Sequence, residues 1–128
     1  MTAVTQSLED YLETIYLLIK DTGNACVRDV AKSMGVKMPS VVKALHELKS
    51  LELVTQEPYS SIELTKKGES ITKSVLARHE LLKSFLVSLG VSPKTADEDA
   101  CRMEHILSVE TLEKIRIYIE KSHEKSIK

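Results

Sequence analysis

Three short groups of side chains in this sequence have the residue types that bind transition-metal ions. Asp10 and Glu13 are spaced i,i+3, and His79 stands apart from the other candidates. A third group has the spacing i,i+3,i+4 and consists of Cys101, Glu104 and His105. Carboxylates, imidazoles and thiolates are common protein ligands of such ions. Because residues three or four positions apart share one face of a helix, we expect each group to present its side chains together.

Each group also has an ordinary structural interpretation when it is considered alone. A pair such as Asp10 and Glu13 usually lies on a solvated helix face, although Leu17 on the same side suggests that this face is covered. His79 could be a hydrogen-bonded, partly buried histidine. A Cys-x-x-Glu-His sequence is a weaker metal signal than two matched Cys-x-x-Cys pairs. The metal interpretation therefore depends on the elements that would position the groups.

The composition limits the class of protein. At 128 residues the chain forms one domain or two small ones, and its 42% hydrophobic content suits a folded protein. One Phe and no Trp make the core aliphatic, so we expect a dimer interface to bury further surface. A net charge of −1 excludes nucleic-acid binding by bulk charge but permits a basic reading surface. Without a long apolar run or signal peptide, we expect a cytoplasmic protein with reduced thiols and no membrane partner.

Hydrophobic periodicity predicts a mainly α protein. A first helix is expected over 8–20 with Ser7 as its N-cap, and a short second helix over Val27–Met34. Gly35 follows where a helix C-terminus favours a left-handed residue, and Met38-Pro39-Ser40 opens a third helix. Two short helices that meet at a glycine turn are typical of a helix-turn-helix.

The predicted helix-turn-helix is followed by a β-hairpin that would form a wing. The third helix turns either Val41 or Val42 inward, and this alternative stays open. Short strands are expected at Leu53–Gln56 and Ser61–Leu64, on either side of a turn over 57–60.

The second half of the chain is predicted to be helical throughout. A long helix is expected over 66–89, and a further helix runs through Leu107 after a capping box of Thr95 and Glu98. Ser108 is expected to cap a last helix from Val109 to about Ser122.

Three stretches of the sequence carry a family resemblance that spans nearly the whole chain. They are DYLETIY over 10–16, RHELL over 78–82 and ACRMEHILS over 100–108. In this order around a predicted winged helix-turn-helix, they resemble the diphtheria toxin repressor family of metal-dependent transcriptional regulators. That family includes iron-dependent and manganese-dependent repressors.

The resemblance implies an N-terminal winged helix-turn-helix DNA-binding domain followed by a helical metal-binding and dimerisation domain. We expect the divide within the long helix near residue 70, which gives domains over 1–70 and 71–128. The resemblance also implies a set of metal ligands, namely Asp10, Glu13, His79, Cys101, Glu104 and His105. Longer iron-dependent members carry a third, SH3-like domain, and this chain ends too early for one, like the short manganese-dependent members. We do not expect the protein to be an enzyme, since no separate nucleophile or general-base arrangement accompanies the ligands.

The ligand set is mixed with respect to the branches of the family. Asp10 and Glu13 look like the manganese branch, whereas Cys101 stands where that branch has a carboxylate and the iron branch a cysteine. Mn²⁺ prefers oxygen ligands, and a thiolate favours softer ions. We expect Mn²⁺ or Fe²⁺ as the native ion, with Co²⁺, Ni²⁺ or Zn²⁺ as possible substitutes. Glu80 and Asp97 are candidates for an ancillary metal site.

By the same resemblance, the third helix would enter the major groove of double-stranded DNA. Pro39, Ser40 and Lys43 would face the bases with Lys37 close by, and Arg28 could hold a phosphate. A homodimer would read an imperfect palindrome, because the operator mirrors the two-fold symmetry of the protein.

The implied activity is repression of manganese- or iron-uptake genes when the metal ion is plentiful. A metal ion bound by both the first helix and the second domain would restrict the distance between the two DNA-binding domains of the dimer. That distance would then match the spacing of the operator half-sites. The main alternative is a winged-helix regulator that responds to another ligand or to cysteine oxidation. A metalloenzyme and an interaction module without metal are the remaining alternatives.

Overall fold

The computed structural model describes residues 4–58 and 60–127, with side chains as far as residue 122. The outermost residues of the predicted domains, 1–3 and 128, and Tyr59 in the predicted wing turn lie outside the described residues. Within the described part, six helices and one antiparallel hairpin confirm the mainly α prediction. The elements are α1 (Gln6–Thr22), α2 (Val27–Met34), α3 (Met38–Ser50), β1 (Val54–Thr55), β2 (Glu63–Leu64), α4 (Lys66–Ser88), α5 (Pro93–Met103) and α6 (Val109–Ile127).

The chain divides into two compact units between Ser74 and Val75, within α4. The first unit is built around the apolar faces of α1, α2 and α3, and the hairpin closes its core. Its fully buried large side chains are Leu12, Ile15, Val30, Val41, Leu48, Leu53 and Ile62. Full burial of an aliphatic side chain contributes about 1.5–3 kcal/mol, so this core positions the helices of the first unit.

The ends of α1 differ from the prediction. Thr5 has an extended backbone, and its hydroxyl accepts a hydrogen bond from the Leu8 N–H at 3.2 Å. The prediction of Ser7 as the N-cap is wrong, because the helix begins at Gln6 and Ser7 lies in its first turn. The other end extends to Thr22, where Gly23 adopts a left-handed φ of 89°.

The turn between α2 and α3 confirms the predicted helix-turn-helix. α2 has the predicted bounds, and Gly35 follows it with a φ of 68°, which L side chains rarely adopt. Pro39 lies in the first turn of α3, where a missing N–H costs nothing. The open alternative on this helix is settled, since Val41 is 0% exposed and Val42 is 56% exposed.

The hairpin is shorter than predicted. β1 and β2 have two residues each, with Val54 opposite Leu64. The predicted second strand began at Ser61, but the Ile62 N–H donates to the Ala25 carbonyl at 2.8 Å. The Ser61 hydroxyl accepts from the Ala25 N–H at 2.8 Å. These residues are therefore tied to the segment before α2 and do not pair with β1.

The start of α4 is fixed by contact with the hairpin. The Thr65 hydroxyl accepts from the Gly68 N–H at 3.0 Å, which caps the helix. A Cβ atom on Gly68 would overlap the carbonyl group of Leu53. Glycine is therefore needed at this position because of close packing, although it is a weak helix former.

The second unit contains the C-terminal part of α4 together with α5 and α6. Phe85 and Tyr118 join α4 to α6 in an edge-to-face contact with ring centroids 6.0 Å apart. The Ser108 hydroxyl accepts from the Thr111 N–H at 3.1 Å, which confirms the predicted cap of α6. The helix continues to Ile127, beyond the predicted end near Ser122.

Two expectations for α5 are wrong. Ser92, and not a box of Thr95 and Glu98, caps the helix, since its hydroxyl accepts from the Thr95 N–H at 3.4 Å. The helix ends at Met103 and does not continue to Leu107. Among the helices of the described residues, none combines the length and the hydrophobicity of a membrane-spanning segment.

Candidate metal centre and nucleic-acid interface

The end of α5 positions two of the candidate metal ligands. Glu104 is the C-cap residue, and its N–H still donates to the Ala100 carbonyl at 2.9 Å. The next N–H, of His105, donates to the Arg102 carbonyl at 3.4 Å, which marks a tighter turn. Cys101 lies within the helix and its side chain is exposed. The expectation that the trio shares one continuous helix is therefore wrong, because His105 follows the helix in a turn.

Glu104 is a buried carboxylate between two imidazoles. Its side chain is 0% exposed, and that of His105 is 1% exposed. One carboxylate oxygen, Oε1, lies 3.4 Å from His105 Nε2. The other, Oε2, lies 3.3 Å from His79 Nδ1. A buried carboxylate is stable only with nearby positive charge or hydrogen-bond donors, so this arrangement favours a cation.

His79 is held on its opposite side by Asp97. The distance between His79 Nε2 and Asp97 Oδ1 is 2.9 Å, and Lys83 Nζ lies 3.5 Å from the same oxygen. The hydrogen bond from His79 lowers the pKa of Asp97 below its usual value, and the charge of Lys83 acts in the same direction. An ionised carboxylate can only accept a hydrogen bond, so the donor in this contact would be an N–H at Nε2 of His79.

With the proton on Nε2, Nδ1 would be the nitrogen of His79 that can bind a cation. Nδ1 is buried and makes no hydrogen bond among the described residues. In the neutral imidazole its lone pair faces the nearby carboxylate oxygen of Glu104. Two acceptor atoms in this proximity fit a divalent metal ion, which is the group that the sequence predicts.

Asp10 and Glu13 lie one helical turn apart on α1, in the first unit. Both side chains are half-buried, and Leu17 on the same helix is 41% exposed. The structure thus brings three predicted ligands together within the second unit, which are His79, Glu104 and His105. Glu80, a candidate for an ancillary site, is exposed on α4.

The predicted DNA-reading residues lie on the exposed side of the helix-turn-helix. The N-terminal part of α3 and the residue before it present Lys37, Pro39, Ser40 and Lys43 to solvent. Arg28 is exposed on α2. The opposite side of α3 packs into the core of the first unit through Val41, Leu45 and Leu48.

The same surface contains apolar residues that sequence reasoning did not assign to it. Met38 is 48% exposed and Val42 is 56% exposed. Methyl groups at this position can contact thymine methyls in a major groove. The signal was the pair of adjacent valines in α3, of which only one can face the core.

Asp97 was predicted only as a possible ancillary metal ligand, and its contact with His79 was missed. The two residues are 18 positions apart on different helices. The i,i+4 spacing of His79 and Lys83 shows that both lie on one side of α4. No pattern in the sequence identifies the residue of α5 that packs against that side.

A winged helix-turn-helix unit joined to a helical unit with a carboxylate and imidazole cluster defines the class of protein. Family models match both parts of the chain. Residues 3–62 match the iron-dependent repressor N-terminal DNA-binding domain. Residues 65–126 match the iron-dependent repressor metal-binding and dimerisation domain. The chain therefore belongs to the diphtheria toxin repressor family of metal-dependent transcriptional regulators, which are not enzymes.

Relatives of similar length support this membership. An HTH-type transcriptional regulator of Methanocaldococcus jannaschii is 43% identical over 124 residues, covering 95% of this chain and 99% of the relative. The regulator MntR of Bacillus subtilis is 40% identical over 111 residues, covering 87% of this chain and 78% of the relative.

A solved structure has the same fold over most of the chain. The manganese regulator SloR is similar with a TM-score of 0.77 and 27% identity, covering 93% of this chain. The match covers 55% of the SloR chain, so the present chain corresponds to about half of that protein.

Proposed function

We propose that the protein is a homodimeric repressor whose affinity for a DNA operator rises when it binds Mn²⁺ or Fe²⁺. The observation that carries this proposal is the buried carboxylate of Glu104 beside the imidazoles of His79 and His105. Genes for the uptake of manganese or iron are the proposed targets. Repression at high metal would then limit further import.

The proposed ligands come from both units of the chain. His79, Glu104 and His105 would supply nitrogen and oxygen donors, and Cys101 would supply a thiolate. Asp10 and Glu13 would add carboxylates from the unit that contains α3. A bound cation would supply the positive charge that a buried carboxylate favours. Because α1 and α3 share one core, ligation by α1 would make DNA affinity depend on the metal.

The choice between Mn²⁺ and Fe²⁺ depends on the donor atoms. Carboxylates suit Mn²⁺, imidazoles suit several first-row ions, and the thiolate of Cys101 favours Fe²⁺ or softer substitutes such as Co²⁺, Ni²⁺ and Zn²⁺. The relative SloR is named a manganese regulator, and the family models are named for iron. We therefore propose Mn²⁺ or Fe²⁺ as the native ion.

Metal titration of the whole protein tests the proposed ligands. Calorimetric titration with Mn²⁺, and with Fe²⁺ under anaerobic conditions, is expected to give saturable binding that the variant His105→Ala loses. His46→Ala is the matched control, because His46 is exposed on α3. Equal binding by wild type and His105→Ala would contradict the site.

The proposed DNA partner is a double-stranded, imperfectly palindromic operator. α3 would enter the major groove with Pro39, Ser40 and Lys43 near base edges and Lys37 beside them. Arg28 on α2 would contact a phosphate. Selection from a pool of randomised duplexes in the presence of Mn²⁺ is expected to enrich sequences with two inverted half-sites. Enrichment of sequences that share no common half-site would contradict sequence-specific DNA recognition.

The homodimer is supported by exposed apolar residues of the second unit. These are Val87, Leu89, Ile106, Val109 and Tyr118, which are between 41% and 84% exposed. Burial of such a surface against a second copy would remove it from water. Analytical ultracentrifugation of the protein is expected to give the mass of a dimer. Because its proposed partner is DNA, we also propose a cytoplasmic location.

Cysteine oxidation is the second candidate signal, because the Cys101 thiol is exposed. The variant Cys101→Ser separates the two signals. If metal is the signal, the variant still responds to Mn²⁺, while its affinity for Zn²⁺ falls more than its affinity for Mn²⁺. Loss of an oxidant response together with an unaltered metal profile would favour the redox alternative.

A further inference from the structure

We propose that Asp97 is a positioning residue for His79, which fixes the ring so that Nδ1 is the metal-binding atom. Asp97 would not itself be a metal ligand. This inference rests on the proposed metal-dependent function and deepens it. It differs from the sequence-based expectation that Asp97 belongs to an ancillary metal site.

The first argument is the hydrogen bond that fixes the tautomer. His79 Nε2 lies 2.9 Å from Asp97 Oδ1, and an ionised carboxylate can only accept a hydrogen bond. The proton of a neutral ring must then lie on Nε2, which leaves the lone pair on Nδ1. Nδ1 is buried and lies 3.3 Å from Glu104 Oε2, so the atom able to bind a cation faces the candidate centre.

The second argument is the difference in exposure across the contact. The side chain of His79 is 13% exposed, whereas that of Asp97 is 54% exposed. The carboxylate therefore lies at the outer side of the ring, and the ring separates it from Glu104. A hydrogen bond at this position restricts rotation of the imidazole without placing a second negative charge beside the buried carboxylate.

The third argument is that Asp97 already has a cation. Lys83 Nζ lies 3.5 Å from the same Oδ1 that accepts from His79. A metal ion at this oxygen would meet the repulsion of the ammonium group. Asp97 on α5 thus contacts two side chains of α4, His79 and Lys83. It would orient His79 without lying in the metal centre.

Carboxylates with this role contribute to metal affinity without touching the metal. They fix the orientation of a histidine ligand and raise its basicity, and their loss typically lowers metal affinity about 10–100-fold. The variant Asp97→Ala removes both the charge and the acceptor. The variant Asp97→Asn keeps an acceptor oxygen, so its loss of affinity is expected to be smaller.

Calorimetric titration of the full-length protein with Mn²⁺ tests this role. Asp97→Ala is expected to weaken binding about 10–100-fold with unchanged stoichiometry. Asp99→Ala, an exposed acid on the same helix, is the matched control and is expected to bind like wild type. Loss of one metal equivalent in Asp97→Ala, with the remaining affinity unchanged, would overturn the proposal in favour of an ancillary site. Equal affinities of Asp97→Ala and Asp99→Ala would also overturn it.

Nitrogen NMR of the histidine rings in the metal-free protein gives a second readout that does not depend on metal binding. His79 is expected as the Nε2–H tautomer in wild type and Asp97→Asn, and as a mixture in Asp97→Ala. An Nδ1–H tautomer in wild type would contradict the assignment. If wild type binds no metal, the proposed function fails, and the ring spectrum still decides whether Asp97 positions His79.

Discussion

At the residue scale, the carboxylate of Glu104 is buried between two imidazoles and is central to the proposed metal response. A carboxylate removed from water loses favourable hydration, and opposite charge in the same environment restores part of that free energy. Glu104 is therefore the residue at which the proposed metal binding would most directly affect protein stability.

The substitution Glu104→Gln keeps the shape of the side chain and removes its charge. At metal concentrations about 100-fold above Kd, binding stabilises the native state by about 2.7 kcal/mol. We expect Mn²⁺ to raise the Tm of wild type and to leave that of Glu104→Gln nearly unchanged. Differential scanning calorimetry with and without Mn²⁺ measures this.

Glu98→Gln is the matched control, since Glu98 is exposed on α5 and the change in charge is identical. It is expected to keep the full metal-induced rise in Tm. A rise of equal size in Glu104→Gln would show that the stabilising ion binds elsewhere.

Residue types and spacing were sufficient to select the ligand candidates but not their neighbours. Glu104 and His105 were identifiable because they are adjacent and chemically suited to metals. The contact between His79 and Asp97 joins two helices, and its partner is set by packing that no local pattern encodes. Metal binding by the six candidate ligands, including Asp10, Glu13 and Cys101, stays a prediction.

At the element scale, the helices were largely predictable and their ends were not. α2 has the predicted bounds because a glycine with positive φ ends it. Thr5 and Ser92 cap α1 and α5, although Ser7 and Thr95 have the same capping chemistry nearby. In such cases tertiary packing decides which hydroxyl lies at the end of the helix. No glycine or proline marks the end of α5, so that helix was predicted too long.

For Gly68 in α4, the expected change in stability on substitution by alanine is opposite to the one that helix propensity predicts. Alanine is about 1 kcal/mol better than glycine in a helix interior. Gly68→Ala is nevertheless expected to destabilise the protein by about 1–3 kcal/mol, because the new Cβ would overlap the Leu53 carbonyl. Urea denaturation measures the change. Ser70→Ala, at an exposed position of α4, is the control and is expected to cause little change. Stabilisation by Gly68→Ala would contradict the packing of the helix against the hairpin.

The adjacent valines of α3 give a prediction that separates an effect on operator affinity from an effect on protein stability. Val42→Ser is expected to leave Tm nearly unchanged and to weaken binding to the selected operator, because its exposed methyl groups would contact thymine. Val41→Ser is expected to lower Tm, since it places a hydroxyl in the core. Calorimetry and fluorescence anisotropy measure the two effects. Equal operator affinity of Val42→Ser and wild type would exclude a thymine contact at this position.

At the scale of the whole molecule, the order of the elements and the fold class followed from periodicity. The hairpin was recognised but its strands were predicted too long, since Ser61 and Ile62 bond to the segment before α2. Such long-range hydrogen bonds depend on the assembled core. Membership of the repressor family explains why a DNA-binding unit and a metal-binding unit occur in one chain.

The proposed function requires a measurable coupling between the binding of metal and the binding of DNA. A coupling free energy of about 1–3 kcal/mol corresponds to a change in affinity of about 5–150-fold, and thermodynamic linkage makes the effect reciprocal. If metal raises the affinity for DNA, the operator must raise the affinity for metal by the same factor.

The most direct test is to measure operator affinity with Mn²⁺ or Fe²⁺ and with a chelator, and metal affinity with and without the operator. If metal and DNA binding are coupled as proposed, both affinities rise by one common factor, about 5–150-fold, in wild type and by little in Glu104→Gln. Equal operator affinity of the wild-type protein in the presence of metal and of chelator would contradict it.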